Sequence, residues 1–257
     1  MPNWIQGRVI ENRHWTDALF SLRVEAPPLR FEAGQFVKIA LEIDGERVAR
    51  AFSFANSPDD PVLEFYGVVI PDGMLSPRLE RLAPGQTLEV SDRPTGFLVL
   101  SEVPDAETLW LIATGTGLAP FLSILRTEAS WKRYAHVVLV HAVRTARELT
   151  YRDVIEDLMA THGERFRYVT LVTREAVGEG PLVAGVRAPL LAGRVPAAIR
   201  DGRLEAAAGR GLVPESAQVL LCGNPAMVHD ATETLKERGM RKNRRRTPGH
   251  ITVENYW

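Results

Sequence analysis

A glycine-rich segment, Thr114-Gly115-Thr116-Gly117-Leu118-Ala119-Pro120, follows an apolar run that ends at Ala113. Glycines let the backbone approach a phosphate closely, and the free N–H groups at a helix N-terminus favour anions. Pro120 suits the first turn of a helix. The pattern therefore predicts a strand, a tight turn and a helix that cradle a pyrophosphate or a nicotinamide; an ordinary strand-to-helix turn has the same residues.

Three arginines follow later apolar segments: Arg144 after His141-Ala142-Val143, Arg174 after Leu171-Val172-Thr173, and Arg194 further along. Ligands bind at the carboxyl ends of the strands of a parallel sheet. Guanidinium groups match phosphate geometry, so their convergence favours a 2′-phosphate, and hence NADP over NAD. Taken singly, each arginine is also typical of a solvated surface.

The segment Arg50-Ala51-Phe52-Ser53 has a second set of polar and aromatic groups on a β-like run. Alternation places Arg50 and Phe52 on one face of the strand. An arginine neutralises a pyrophosphate, an aromatic ring covers a planar ring, and a hydroxyl hydrogen-bonds a ring nitrogen. The helix start at Gly73-Met74-Leu75-Ser76 offers a further anion site. Together these residues predict a dinucleotide-sized pocket.

Two different patterns of elements must position these groups. From Ile5 to about Leu100, short apolar runs alternate with turn residues, which predicts a closed antiparallel barrel. One helix is expected over Leu75–Leu82, with Ser76 as its N-cap.

After Pro104 the apolar runs are separated by longer helical patterns, which predicts a parallel sheet with crossover helices. Strands are expected at 108–113, 136–142, 166–172 and 218–221, and helices at 121–128, 151–162 and 226–238. The expected fold has two domains, an N-terminal antiparallel β-barrel (residues 1–102) and a C-terminal α/β doubly wound parallel sheet (residues 103–257).

Composition narrows the function further. The net charge of -1 excludes a globally basic nucleic-acid-binding surface. With Cys222 as the single cysteine there is no internal disulfide, no cysteine-based zinc site and no cysteine-ligated iron-sulfur cluster. A redox cofactor must therefore be organic, and no metal is expected. Residues 1–30 resemble no signal or transit peptide, and no apolar stretch is long enough for a membrane span, so a cytoplasmic protein is expected.

Four motifs carry a resemblance that covers the whole chain: Arg50-Ala51-Phe52-Ser53, Gly115-Thr116-Gly117-Leu118-Ala119-Pro120, Cys222-Gly223-Asn224-Pro225 and Glu254-Asn255-Tyr256-Trp257. In content, order and spacing they resemble bacterial ferredoxin/flavodoxin–NADP reductases. The resemblance implies FAD on the barrel and NADP(H) on the second domain. It also implies hydride exchange with NADP(H) and transfer of single electrons to or from ferredoxin or flavodoxin.

The same resemblance implies roles for residues of the barrel. Arg50 would contact the FAD pyrophosphate, Phe52 would pack on the flavin, where the family usually has tyrosine, and Ser53 would hydrogen-bond near the reactive N5. The further FAD contacts that it implies are Ala51, Tyr66, Gly67, Val68, Val69, Met74, Leu75, Ser76 and, from the second domain, Thr116.

For NADP the resemblance implies a site around the 2′-phosphate and a path for the rest of the dinucleotide. The first group is Val143, Arg144, Thr173, Arg174 and Arg194, and the second is Asn224, Pro225, Ala226 and Asp230. The stretch 177–187, which precedes Arg194, is longer than is usual in the family.

The C-terminal motif adds candidate catalytic residues beside Ser53. Tyr256 and Trp257 resemble the terminal aromatics that cover the flavin, so that the tail of the second domain returns to the flavin. Cys222 corresponds to a position beside the nicotinamide, where a contact is expected rather than nucleophilic chemistry. Glu254 is a candidate proton relay, although a terminal carboxylate is usually solvated.

The run Arg241-Lys242-Asn243-Arg244-Arg245-Arg246 carries five positive charges in six residues. Such a run either forms a solvated face or steers an acidic ferredoxin or flavodoxin. No nucleic-acid or membrane partner is expected, and the protein is expected to be a monomer. Two rival functions stay open: the reductase component of an oxygenase that uses a separate carrier, and a non-enzymatic flavin or nucleotide sensor.

Overall fold

The computed structural model describes residues 3–176 and 178–255. Contacts divide the chain into two compact units. One consists of the chain up to Val99 together with Ala119–Thr127, and the other consists of Leu100–Leu118 together with the chain from Glu128 onward. Residues 114–118 of the glycine-rich segment thus belong to the second unit, while the helix that begins at Ala119 belongs to the first.

The first unit is built on an antiparallel sheet with six strands in the described residues, in the order β4-β3-β6-β1-β2-β5. Beyond the edge strand β4, Phe54 bridges Phe65 of the other edge strand, and the Ala55 N–H donates to the Glu64 carbonyl at 2.8 Å. The sheet therefore curls, and the predicted antiparallel barrel is confirmed. Its strands are β1 (Trp4–His14), β2 (Leu19–Glu25), β3 (Phe36–Ile43), β4 (Glu46–Ser53), β5 (Val62–Val68) and β6 (Thr87–Ser91).

The barrel core is formed by apolar side chains that point inward from the strands. Phe20 is 1% exposed and lies opposite Gly67 on β5. A Cβ atom on Gly67 would lie 2.7 Å from the Phe20 ring, so the glycine leaves room for this ring in the core. Packing therefore explains the glycine without any ligand.

The short helix α1 (Ser76–Leu79) follows β5. A helix is present within the predicted range 75–82, but Ser76 is not its N-cap, because Ser76 is the first helical residue and its Oγ accepts the Ile70 N–H at 2.9 Å. The Asn12 side-chain amide donates to the carbonyls of Glu80 and Leu82, each at 2.8 Å. These bonds satisfy carbonyl groups just beyond the helix, where no further turn supplies donors.

A second helix of this unit, α2 (Ala119–Leu125), is attached to the barrel by polar contacts. The Ser123 hydroxyl donates to the Asn56 carbonyl at 2.7 Å, and Arg126 pairs with Glu64 at 2.7 Å. The Thr127 hydroxyl donates to the Ile124 carbonyl at 2.7 Å and competes with continuation of the helix. The helix expected over 121–128 corresponds to α2, which ends at Leu125, and the next helix begins at Glu128.

The second unit is built on a parallel sheet of six described strands, in the order β12-β9-β8-β7-β13-β14. The chain enters at the centre with β7, runs outward to β12, and returns to place β13 on the other side of β7. This doubly wound topology confirms the prediction. The strands are β7 (Thr108–Thr114), β8 (His136–Val143), β9 (Phe166–Val172), β12 (Leu190–Ala192), β13 (Ala217–Gly223) and β14 (Ile251–Asn255), and a separate hairpin pairs β10 (Leu182–Val183) with β11 (Val186–Arg187).

Helices connect these strands, and several short elements were not predicted. The helices of this unit are α3 (Glu128–Arg133), α4 (Arg152–His162), α5 (Val195–Arg200), α6 (Arg203–Ala208) and α7 (Pro225–Glu237). The elements β10, β11, β12, β14, α5 and α6 have at most six residues each. Periodicity cannot be read from the two or three residues of β10, β11 and β12, and the short helices α5 and α6 span fewer than about two turns.

The central strands explain the long apolar runs of the second half of the chain. All residues of β13 are buried, as are the first six of β7, because helices cover both faces of a parallel sheet. Trp110 at the centre is fully buried, and its indole N–H donates to the Gly211 carbonyl at 3.2 Å. None of the described helices has the length and apolar character needed to cross a membrane.

Candidate functional site

The glycine-rich segment lies at the point where the strand order reverses, between β7 and β13. A Cβ atom on Gly117 would lie 2.7 Å from the Cα of Gly223, and the Asn224 N–H donates to the Thr114 hydroxyl at 2.9 Å. Gly115 has a φ of 53°, and a Cβ atom there would meet nothing within 4 Å. The loops after β7 and β13 are thus closely joined while the backbone at Gly115 stays accessible. Such a crevice at a switch point is where doubly wound sheets bind dinucleotides.

Residues after β13 form the N-terminus of α7. The Asn224 side chain accepts hydrogen bonds from the N–H groups of Ala226 at 2.9 Å and Met227 at 3.3 Å, and Pro225 is the first helical residue. The side-chain oxygen of Asn224 therefore caps the helix. Asp230 is exposed one turn further on, 3.1 Å from the His229 ring nitrogen.

The three predicted arginines follow three adjacent strands of the sheet. Val172 of β9 pairs with Val143 of β8 and with Ala192 of β12. Arg144 follows Val143 directly, whereas Arg174 and Arg194 each come two residues after the end of a strand, and all three residues are exposed. The structure therefore places them at the same edge of the sheet, as the sequence predicts.

A cavity of about 510 Å³ lies at this edge and is lined by Arg144, Thr145, Arg147, Glu148, Arg174 and Glu175. Glu148 holds the Arg144 guanidinium, with Oε1 accepting from Nε at 2.9 Å and lying 2.8 Å from Nη2. Glu175 accepts the Ala146 N–H at 2.6 Å. Both carboxylates are thus engaged with the loop between residues 144 and 148.

Two features of the cavity fit a bound phosphate group. Within the described chain, the guanidinium groups of Arg147 and Arg174 have no carboxylate within ion-pair distance. The Thr145 hydroxyl oxygen is buried and has no hydrogen-bond partner among the described residues. Cationic groups without counter-ions beside an unsatisfied hydroxyl are suited to a phosphate, which accepts several hydrogen bonds. Val143 and Thr173, which were also expected at this site, directly precede Arg144 and Arg174 and are joined to each other, since the Thr173 N–H donates to the Val143 carbonyl at 3.1 Å.

On the barrel, Arg50 and Phe52 lie on the edge strand β4. Arg50 is exposed and donates from Nη1 to the Ala49 carbonyl at 2.7 Å, with no carboxylate partner among the described residues. Phe52 is partly exposed, Ala51 is exposed and Ser53 is buried at the end of the strand. An uncompensated cation two residues from a half-exposed ring fits the pyrophosphate and planar ring of FAD.

The other residues expected at the FAD site differ in their surroundings. Tyr66 and Leu75 are each 3% exposed, and Leu75 packs into the barrel core, so its side chain has a structural role. Met74 is 49% exposed. Val68, Val69 and Ser76 are half-buried.

The candidate catalytic residues of the second unit lie on β13 and β14. Cys222 is fully buried and pairs in register with Glu254 on the neighbouring strand. Thr116 is half-buried within the short 3₁₀ turn Gly115–Leu118. Tyr256 and Trp257, expected to cover the flavin, lie outside the described residues.

Sequence reasoning missed Thr145, Arg147, Glu148 and Glu175 as residues of the cavity. One signal was available, since Glu148 stands four residues after Arg144, a spacing at which opposite charges pair on a helical turn. No local signal indicated Glu175, because it reaches the loop from the next strand.

Comparison with known proteins agrees with this arrangement. Residues 10–98 match the model of the oxidoreductase FAD-binding domain, and residues 111–233 match that of the oxidoreductase NAD-binding domain. The chain is 50% identical to the flavodoxin/ferredoxin–NADP reductase of Shigella flexneri, with 100% of both chains covered. It is 36% identical to the ferredoxin–NADP reductase of Pseudomonas aeruginosa, over 99% of this chain and 98% of the relative.

A solved structure with the same fold is the ferredoxin NADP+ reductase from Neisseria gonorrhoeae with bound FAD and NADP. The two superpose with a TM-score of 0.90 at 31% identity, and the match covers 100% of each chain. Fold and site therefore define an oxidoreductase that uses FAD and NADP. Within that class, the chain belongs to the flavodoxin/ferredoxin–NADP reductase family.

Proposed function

We propose that this protein transfers electrons between NADP(H) and a ferredoxin or flavodoxin. The observation that supports NADP(H) as the nucleotide is the set of three arginines at the carboxyl ends of β8, β9 and β12, beside the cavity that Arg144 and Arg174 line. The names of the relatives support ferredoxin or flavodoxin as the electron carrier. When bound, NADP(H) supplies a hydride and FAD exchanges both hydride and single electrons.

The residues of this chain bind and orient both cofactors. On the barrel (residues 1–102), Arg50 neutralises the pyrophosphate of FAD, Phe52 covers the planar ring, and Ser53 supplies a hydroxyl near its reactive edge. In the second domain (residues 103–257), Arg144 and Arg174 anchor the 2′-phosphate of NADP(H), and Arg194 approaches it from β12. Gly115, Thr116 and the start of α7 receive the rest of the dinucleotide.

Roles for the C-terminal residues belong to the same proposal. Cys222 contacts the nicotinamide as a small apolar group, and Glu254 on the neighbouring strand is a candidate for moving a proton. Covering of the flavin by Tyr256 and Trp257 stays a prediction from the sequence. A monomeric state and a cytoplasmic location also stay predictions.

A basic loop, Arg241–Arg246, supports docking of an acidic carrier. Asn243 at its centre is 7% exposed, and its side-chain amide donates to the Glu102 carbonyl at 2.6 Å and the Thr252 hydroxyl at 3.1 Å. The flanking side chains of Arg241, Lys242, Arg244 and Arg246 are exposed. The loop is thus held at its middle while its cations face solvent, a distribution that raises the association rate of an acidic partner.

An anaerobic experiment tests this function. The purified protein is reduced with NADPH or with NADH, and its absorbance is followed before it is mixed with an oxidised ferredoxin or flavodoxin. We expect flavin bands that bleach faster with NADPH and that return when the carrier is reduced. Reduction of ferricyanide but of neither carrier would indicate a different partner, such as an oxygenase component. A flavin that neither nucleotide reduces would indicate a sensor.

A further inference from the structure

Glu148 is the most buried charged residue at the arginine cavity, with 9% of its surface exposed. It lies in the turn Ala146–Glu148, just after β8. Its Oε1 accepts from Arg144 Nε at 2.9 Å, and its Oε2 accepts the backbone N–H of Arg144 at 3.0 Å. Both oxygens of one carboxylate therefore bind the same arginine, at its side chain and at its main chain.

This arrangement is unexpected for a site that binds an anion. A carboxylate on the wall of a phosphate site repels the phosphate, so simple electrostatics predicts that removing it strengthens binding. Arg147 and Arg174 also line the cavity and, within the described residues, have no carboxylate partner. Glu148 thus lowers the positive potential of the cavity. Its presence favours phosphate binding only if its hold on Arg144 gives a larger benefit.

The benefit comes from restricting the flexible arginine side chain before the ligand binds. A free arginine side chain loses much rotamer freedom when it is fixed on a ligand, and a group that is oriented beforehand binds more tightly for that reason. The Arg144 side chain is 48% exposed even though Nε and Nη2 face Glu148. Its remaining surface therefore stays available to a ligand while the guanidinium plane is fixed.

We propose that Glu148 is a positioning residue that presents Arg144 to the 2′-phosphate of NADP(H), and that this benefit exceeds the repulsion by its charge. The inference rests on the proposed function, in which Arg144 binds that phosphate. Its distinctive consequence is that the effect of removing the Glu148 charge on phosphate binding has opposite signs with and without Arg144. Loss of the Glu148 charge weakens binding when Arg144 is present and strengthens it when Arg144 is absent.

The test is calorimetric titration of the FAD-loaded protein with adenosine 2′,5′-bisphosphate, and with 5′-AMP as the ligand without a 2′-phosphate. Glu148→Gln keeps the shape of the side chain but replaces one acceptor oxygen by a donor. We expect the dissociation constant of the bisphosphate to rise about fivefold to tenfold, and that of 5′-AMP to stay unchanged. In the Arg144→Ala background, the same substitution should lower the constant of the bisphosphate.

The outcomes distinguish a failure of the positioning role of Glu148 from a failure of the 2′-phosphate assignment. If Glu148→Gln tightens binding with Arg144 present, repulsion dominates and the positioning role is refuted. If Arg144→Ala alone leaves bisphosphate binding unchanged, the 2′-phosphate assignment itself fails, and the positioning role with it. Thermal midpoints are measured first. Should Glu148→Gln unfold at the assay temperature, Glu148→Met keeps the buried stem and gives the same comparison.

Discussion

A Cβ atom on Gly117 would lie 2.5 Å from the carbonyl oxygen of Cys222, so the loop after β7 contacts the end of β13 at the backbone. No side chain fits between them. The contact lies at the switch point of the sheet, and it explains why glycine is required at this position.

Substitution Gly117→Ala should therefore push the loop after β7 away from the end of β13. We expect a lower thermal midpoint and a loss of about 1–3 kcal/mol of stability from overpacking, together with weaker NADP+ binding. Gly178→Ala is the matched control, because a Cβ atom there meets nothing within 4 Å. Differential scanning fluorimetry and NADP+ titration measure both effects. Equal behaviour of the two variants would show that the crevice tolerates the extra methyl group.

The arginine pair should determine the choice between nucleotides. Arg144→Ala with Arg174→Ala removes two charge-assisted contacts to the 2′-phosphate, so kcat/KM for NADPH should fall about 100-fold or more. NADH has no 2′-phosphate, and its kcat/KM should change little. Steady-state reduction of ferricyanide with each nucleotide provides the measurement. Similar losses for NADPH and NADH would contradict the assignment of the cavity.

His141 should make stability depend on pH. Burial lowers its pKa to about 3, since the charged imidazole would lose its hydration, and nearby Arg152 adds repulsion. In the unfolded chain the pKa of an imidazole is about 6.5. Because the pKa is lower in the folded protein, the contribution of neutral His141 to stability is fully present above a pH of about 6.5. It is lost as the pH falls toward 3, by up to about 1.4 kcal/mol per pH unit.

The variant His141→Leu should lose this part of the pH dependence. Urea unfolding at pH values from 7.5 to 4.5 compares the slopes of stability against pH. Tyr168→Phe is the control, because it removes the hydroxyl 3.2 Å from the His141 ring nitrogen but keeps the buried imidazole. A slope unchanged by His141→Leu would show that other groups dominate the acid dependence.

The basic loop should control the rate of association with an acidic carrier. The triple variant Arg241→Gln, Lys242→Gln and Arg244→Gln should lower this rate about tenfold at low ionic strength and flatten its dependence on salt. Arg8→Gln, Arg23→Gln and Arg81→Gln change the net charge equally in the barrel unit. Stopped-flow mixing with ferredoxin or flavodoxin at several salt concentrations compares the two. An equal effect of both triples would indicate a response to net charge alone.

Local sequence patterns were sufficient for much of the architecture. The strands β7, β8 and β9 begin at the predicted residues because buried parallel strands are continuous apolar runs. The helix predicted over 226–238 is α7, which begins one residue earlier, at Pro225. Ser76 was misassigned because its hydroxyl has two possible uses, and only the position of the Ile70 N–H decides between them.

The order of barrel and parallel sheet, and the positions of the arginines after the strands, could be read from local patterns, because these features depend on periodicity and on motifs of a few residues. Which groups share the cavity was settled only by the folded chain. Glu148 binds Arg144, Glu175 reaches Ala146 from the next strand, and α2 packs with the barrel. Such contacts depend on chain segments that are brought together only by folding, and no local pattern encodes them.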